Sequence, residues 1–281
     1  MVPEMIRISL PQEVKRPRSP HALLMIVWLA TLLLFPQVAH TSQLTLCNEA
    51  KKAGLAILSD FKEYYSLTTL CKTTIGMGVS GIIANTEADE DIQEWVQDDV
   101  RSEEMDHFSK TVKELGNWQR VTPLYLALAA SGTLFNGNGF MRETGGFGEK
   151  SFRALLVGMP AVLFWQFSLG ASRPSDQKES RWHPGEDNNS VSGHAFTGAV
   201  PFLTAARMSG DPYLKSFLYL GSTATAFSRI NDDQHYFSQA LLGWWFAFLA
   251  VESVDRVNKN QITFSPMVID DGFGIVGTFI F

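Results

Sequence analysis

At 281 residues the chain has room for one domain and a leader. A hydrophobic fraction of 45% supports a sizeable core but is modest for a protein made mostly of membrane helices. The net charge of −6 argues against general nucleic-acid binding.

The chain opens on a targeting segment. Lys15, Arg16 and Arg18 precede an uncharged run from Ala22 to Ala39, which reads as a positive region followed by an apolar core. The run lies near the lower limit for spanning a bilayer. Cleavage after Ala39 would put Gln37 at a position that favours small residues, so an uncleaved anchor stands beside a cleaved signal peptide. Both place the remainder outside the cytoplasm. The two cysteines, Cys47 and Cys71, follow the leader; they read either as one disulfide or as two small buried hydrophobes.

Gln43 to Leu67 reads as an exposed helix. Thr73 to Thr86 is uncharged and glycine-rich, suited to close helix packing but too short alone for a span. Eleven of the 29 acidic residues fall between Glu87 and Glu114. The surrounding stretch reads as a solvated helical pair, with Trp95, Val100, Phe108, Val112 and Leu115 along one apolar side. Val121 to Met141 is apolar and ends in a turn signal, and Gly145 to Gly148 reads as a further break. Ala154 to Leu169 is a long apolar run that delivers Arg173 to its C-terminal end. A polar loop follows, and a helix is expected from Gly193. Further helices are expected over Tyr213–Phe227 and Tyr236–Val251, and the tail from Gln261 reads as a short hairpin. The runs at 121–141, 154–172 and 236–251 favour a membrane-embedded body.

Three short segments carry the chemistry. Arg173-Pro174 is followed by Ser192-Gly193-His194, and then by Ser228-Arg229 with His235 six residues after the arginine. Ser192 and Gly193 open a helix, so free backbone N–H groups and the positive dipole end point at one spot, which suits an anion. Arginines clamp phosphate oxygens bidentately. One histidine can attack phosphorus while another protonates the leaving oxygen.

The segments read Q-F-S-L-G-A-S-R-P from Gln166, V-S-G-H from Val191 and S-R-I-N-D-D-Q-H-Y-F-S-Q from Ser228. In order and spacing they resemble the tripartite signature of the type 2 phosphatidic acid phosphatase (PAP2) superfamily, which includes bacterial acid phosphatases and vanadium haloperoxidases: K-x6-R-P, P-S-G-H and S-R-x5-H-x3-D. The resemblance implies an all-α helical bundle of the PAP2/haloperoxidase type, with about six core helices behind an N-terminal signal or signal-anchor helix. The resemblance spans roughly residues 150–255; with the rest read from the residues themselves, the chain divides into a leader at 1–42, an N-terminal helical region at 43–120, a phosphatase core at 121–257 and a tail at 258–281.

By the same resemblance His235 is the nucleophile that forms a phosphohistidine, and His194 is the general acid. Arg173, Arg229, Ser192, Gly193 and Gln166 would bind the substrate phosphate, with Gln239 supporting His235. No metal and no cofactor is implied, because the arginines carry the positive charge. The implied partners are a membrane and a lipid phosphate or small phosphomonoester, with no nucleic acid. The active site is expected on the periplasmic or extracellular side of the cell envelope. A vanadate-dependent haloperoxidase and a non-catalytic protein of the same fold are the alternatives.

Three positions depart from the signature. Gln166 replaces its lysine, Val191 its proline and Gln239 its aspartate. Gln239 lies four residues after His235, on the same helix face, and its amide oxygen can accept from the ring N–H without supplying a negative charge. Lys178 and Arg181 are the nearest substitutes for the missing lysine. Asp232 and Asp233 read as turn and helix-start residues, with replacement of the missing carboxylate as the alternative. If that carboxylate limits the rate, Gln239→Asp is expected to raise steady-state turnover by about tenfold. Unchanged or lower turnover would mean that the site is supported in another way.

Overall fold

The computed structural model describes residues 43–135, 137–259, 262–269 and 272–279. The leader expected at residues 1–42 lies outside them. The chain parts into two units, Met1–Leu46 and Cys47–Phe281, and the second carries the fold. Among the described residues this unit is all-α, apart from a terminal hairpin in which β1 (Ile262–Ile269) pairs antiparallel with β2 (Gly272–Phe279).

Helix α1 (Gln43–Tyr64) leads to α2 (Leu67–Ala84), which starts where Ser66 Oγ accepts from Thr69 N–H. Helix α3 (Ala88–Trp95) runs into a π turn at Val96–Val100, and α4 (Glu103–Val112) into a 3-10 turn at Lys113–Gly116. Then come α5 (Trp118–Leu134), α6 (Gly139–Leu169), α7 (Gly193–Met208), α8 (Pro212–Gly221), α9 (Ala224–Asn231) and α10 (Phe237–Lys259).

The core lies between α6, α7 and α10. Val157 and Val162, Phe196 and Leu203, and Leu242, Phe246 and Leu249 are fully or almost fully removed from solvent there. Each such side chain contributes about 1.5–3 kcal/mol of transfer free energy. Helix α6 is one continuous helix across Gly145–Gly148, not two runs with a break. Its glycines serve packing: a Cβ at Gly145 would lie 2.4 Å from Gly132 Cα, so α5 and α6 touch backbone to backbone. The expected helix over 213–227 is in fact α8 and α9, divided at Ser222–Thr223.

The acidic region is not a solvated pair. Trp95, Phe108 and Leu115 stay exposed, while the polar Asp89, Gln93 and Ser109 are the buried residues of α3 and α4. They are buried because they serve the start of α10 and the turn before it. Asp89 accepts from Ser238 N–H and Oγ–H, Gln93 donates to Ile230 O and Asp233 Oδ1, and Ser109 Oγ–H donates to Asp232 Oδ1 at 2.5 Å. Cys71 is free and exposed on α2, which removes it from both cysteine readings; the side chain of Cys47 is outside the described set.

Among the described residues three stretches are long and apolar enough to cross a membrane: Leu67–Ala84, Gly139–Asp176 and Phe237–Lys259. The first was read as too short, because the helix starts at Leu67 rather than Thr73. The 121–141 run is not among them, since α5 closes at Leu134. Exposed Ile75, Val79 and Ile82 on α2 and Leu163, Phe164 and Phe167 on α6 supply apolar outer faces.

At the end of the bundle where α10 closes, Arg153 of α6 makes a buried bidentate pair with Asp60 of α1, at 2.6 and 2.8 Å, and donates to Asn258 of α10 at 3.1 Å. Removing one partner leaves an uncompensated buried charge. Asp60→Ala is expected to cost about 3–5 kcal/mol in urea unfolding of the detergent-solubilised protein, and Asp60→Leu with Arg153→Met to recover most of it. Equal losses in both would show that packing, not charge, holds α1.

Candidate active site

The site forms where three helix ends meet. Helix α6 ends at Leu169 and releases the loop that carries Arg173; α7 begins at Gly193; α10 begins two residues after His235. A loop at 170–192 joins the first two. Gly170 adopts φ 58° and packs so tightly that a Cβ would sit 2.0 Å from His183 O, a close approach that suits glycine.

The turn between α9 and α10 brings Arg229 and His235 together. Gln234 N–H and His235 N–H both donate to Arg229 O, at 2.9 and 3.1 Å, and Asp233 takes the left-handed region at φ 58°. Asp233 O then accepts from Ser175 N–H, tying this turn to the Arg173 loop.

Gln239 fixes the state of His235. Its Nε2 donates to Ser172 O at 2.8 Å, which orients the amide and aims Oε1 at the imidazole. His235 Nδ1–H therefore donates to Gln239 Oε1, at 2.9 Å, and Nε2 keeps its lone pair. Tyr236 N–H donates to the same oxygen at 3.3 Å. The main-chain oxygen of Gln239 accepts from Ser192 N–H at 2.9 Å. One turn on, a Cβ at Gly243 would lie 2.3 Å from Ser192 O, so α7 starts directly against α10. An aspartate at 239 would accept from His235 but could not donate to Ser172 O, so the glutamine also does work that a carboxylate cannot.

Gln166, Arg173, Gly193, His194 and His235 line one cavity of about 280 Å3, together with Trp118, Met159, Val162 and Leu163. Ser192 and Gln239 are fully buried behind it. The Ser192 hydroxyl caps α7 by accepting from Ala195 N–H. Arg229 lines an adjoining cavity with Gln234. Gln166 spends its amide N–H on Val191 O at 2.7 Å and so braces the V-S-G-H turn. Asn189 and Gln234 hold Arg173 in place, accepting from its Nε at 2.8 Å and from its NH1 at 3.2 Å.

The expected substitutes do not reach the cavity. Lys178 pairs with Asp187, and Arg181 with Glu179, both toward solvent. Asp232 faces Arg229, Ser109 and Lys113, and Asp233 faces Gln93, so neither supplies a carboxylate to His235. Sequence reasoning missed Gly116, Trp118, Asn189 and Gln234 as site residues. Only the position of Gln234 beside His235 offered a signal. Gly116 abuts His194 so closely that a Cβ would lie 2.7 Å from its carbonyl oxygen.

The electrostatics favour an anion. Burial, then the nearby Arg229, Arg173 and His194, push His235 down to about 3, against the bond to Gln239, which pulls it up. Burial, then Arg229, Arg173 and Lys113, also lower His194. Both imidazoles are thus neutral at pH 7 in the empty cavity, beside two guanidinium groups and the N-terminus of α7. The arrangement can hold a tetrahedral oxyanion with an unprotonated ring nitrogen on one side and a second imidazole on another.

No curated protein and no solved structure matches the chain. Residues 145–260 match the family model of the PAP2 superfamily, a range that contains Gln166, Arg173, the Ser192–His194 turn, Arg229, His235 and Gln239. That range is similar to the PAP2 superfamily, while Gly116 and Trp118, which also line the cavity, lie outside it.

Proposed function

We propose that the protein is a phosphatase that hydrolyses a phosphomonoester or diphosphate of a membrane lipid through a phosphohistidine. The observation that carries this reading is the fixed tautomer of His235, whose Nε2 lone pair is free beside Arg173 and His194. In the first step Nε2 attacks phosphorus, the bond to the alkoxide oxygen breaks, and His194 gives its proton to that oxygen. The phosphorylated ring is cationic and keeps its Nδ1–H bond to Gln239. In the second step His194 takes a proton from water, the water oxygen attacks phosphorus, and the P–N bond breaks to free phosphate and His235. Arg173, Arg229 and the Gly193 N–H hold the phosphoryl oxygens, whose charge redistributes in the transition state.

The lipid part rests on the cavity's other wall. Met159, Val162 and Leu163 lie on α6, within a stretch suited to cross a membrane, and Trp118 stands beside them. The ends of α2, α6 and α10 nearest the site all face the 170–192 loop: Ser180 Oγ–H donates to Ala84 O, and Trp182 N–H to Asn85 Oδ1. This supports a site at one surface of the bilayer, and the leader supports the non-cytoplasmic one.

Phosphate release from lipid monophosphates, polyprenyl diphosphate and p-nitrophenyl phosphate, in detergent with EDTA and with His235→Ala alongside, tests the proposal. Release that survives EDTA and vanishes in the variant is expected, with a lipid as best substrate. No release from any substrate by folded protein would turn the reading to a non-catalytic member of the fold. The pH profile gives a second check. The reaction needs His235 neutral and His194 protonated. His235 protonates toward pH 3, and His194 loses its proton below the ordinary histidine value of 6.5. A bell-shaped kcat/KM profile with its maximum on the acid side of 6.5 is therefore expected. A maximum above pH 7.5 would contradict these protonation states.

A further inference from the structure

Toward the end of the bundle away from the active site, α6, α7 and α10 enclose a small pocket lined by Lys150, Thr204, Arg207, Val251, Val254 and Asp255. Its one carboxylate is engaged, since Asp255 lies 3.0 Å from Lys259 Nζ. The nearby Glu149 and Glu252 are taken by Arg153 and Lys72. Lys150 and Arg207 are thus left without a carboxylate partner among the described residues. Arg207 is held over the ring of Phe248 instead, its guanidinium carbon 5.4 Å from the centroid. That contact fixes the cation and leaves its N–H donors unspent.

The floor of the pocket carries an independent mark. Thr204 is 1% exposed, and its hydroxyl has no hydrogen-bond partner. A helical hydroxyl can return to the carbonyl one turn back. Ser253 does so, to Leu249 O at 2.8 Å, and Thr204 does not. A buried hydroxyl left in this way is costly unless a ligand or a water supplies the partner. The pocket holds about 10 Å3, room for one oxygen-sized group. One oxygen of a tetrahedral anion fills that room, with the others at the mouth between the two cations.

The level of the pocket in the bundle bears on the ligand. At 1.5 Å per residue, Lys150 is roughly 28 Å along α6 from Leu169, Asp255 about 27 Å along α10 from Phe237, and Arg207 about 21 Å along α7 from Gly193. Leu169, Phe237 and Gly193 are the helix ends at the active site. These separations approach the ~30 Å thickness of a bilayer's hydrocarbon core. With the active site at one surface of the membrane, the pocket stands near the other.

We propose that this pocket is a second, non-catalytic oxyanion site, which takes a phosphate group between Lys150 and Arg207 with one oxygen on the Thr204 hydroxyl. Its level favours the headgroup of an anionic phospholipid in the opposite leaflet over free phosphate. No bond is made or broken there, and the site does not depend on the phosphatase reading.

Calorimetric titration of the full chain in detergent with dioctanoyl phosphatidylglycerol, dioctanoyl phosphatidylcholine and inorganic phosphate tests it, with Lys150→Gln, Thr204→Val and Arg173→Ala alongside. Phosphatidylglycerol is expected to bind the wild type at least about fivefold more tightly than phosphatidylcholine, which carries its own cation. Lys150→Gln is expected to abolish that difference, and Thr204→Val to weaken phosphatidylglycerol by about threefold or more. Arg173→Ala, which disables the first cavity, is expected to leave both results unchanged. Inorganic phosphate binding that responds to the same two substitutions and not to Arg173→Ala would support the site and make free phosphate its ligand. Equal binding of the two lipids without such a phosphate response would overturn the proposal, as would a preference lost in Arg173→Ala and kept in Lys150→Gln. A preference removed by Lys150→Gln but untouched by Thr204→Val would mean surface charge alone, with a water on the hydroxyl, and would overturn it too. Arg207→Gln replaces Lys150→Gln if that variant does not fold.

Discussion

Gln239 touches each of the three site segments, and the geometry of the cage follows from those contacts. Its side chain donates to Ser172 O beside Arg173 and accepts from His235, while its main-chain oxygen accepts from Ser192 N–H. It is fully buried, so each of these bonds is made in a low-dielectric interior, where an unpaired amide group would be costly. The same residue that fixes the histidine tautomer therefore also fixes the separation between the arginine loop and the start of α7. Its bond to His235 pulls that imidazole up, against burial and the nearby Arg229 and Arg173, which push it down.

The cage is supported from behind by the segment that looked most solvated. Helices α3 and α4 bury Asp89, Gln93 and Ser109, and expose Trp95 at 57%. Binary patterning assigns the apolar side to the interior because burying apolar area is favourable. Here the partner surface is the open end of α9, the turn after it and the first turn of α10, which present unpaired main-chain groups. Polar side chains satisfy those groups, while Ile92, Val96 and Val100 pack with Ala226, Ile230 and Ala240 in a small apolar cluster beside them.

The site sits at the ends of helices suited to a bilayer, with its cationic face turned to the loops and its apolar wall running along α6. The proposed lipid substrate would keep its charged group at the loops while its chain follows the helix. The same arrangement explains why the second half of α6 carries no charge: after Arg153, whose pair with Asp60 is sealed in the bundle, no ionisable residue follows until Arg173.

The sequence by itself determined the resemblance to the PAP2 superfamily, the helical class and the eight positions that the three segments carry, because motif spacing is local. Four residues from His235 to Gln239 is one helical turn, and Ser192 before Gly193 is a helix cap wherever it occurs. It also marked the apolar helices, though not their starts: Leu67 and Gly139 open their helices through capping bonds from Ser66 and Asn138 that composition does not display. Only the tertiary structure decided which cations reach the site. Lys178 and Arg181, close in sequence, are drawn off by Asp187 and Glu179, while Lys113, 60 residues before Arg173, is carried to Arg229 by packing. Coulomb energy depends on distance in space, and distance along the chain sets that only within an element.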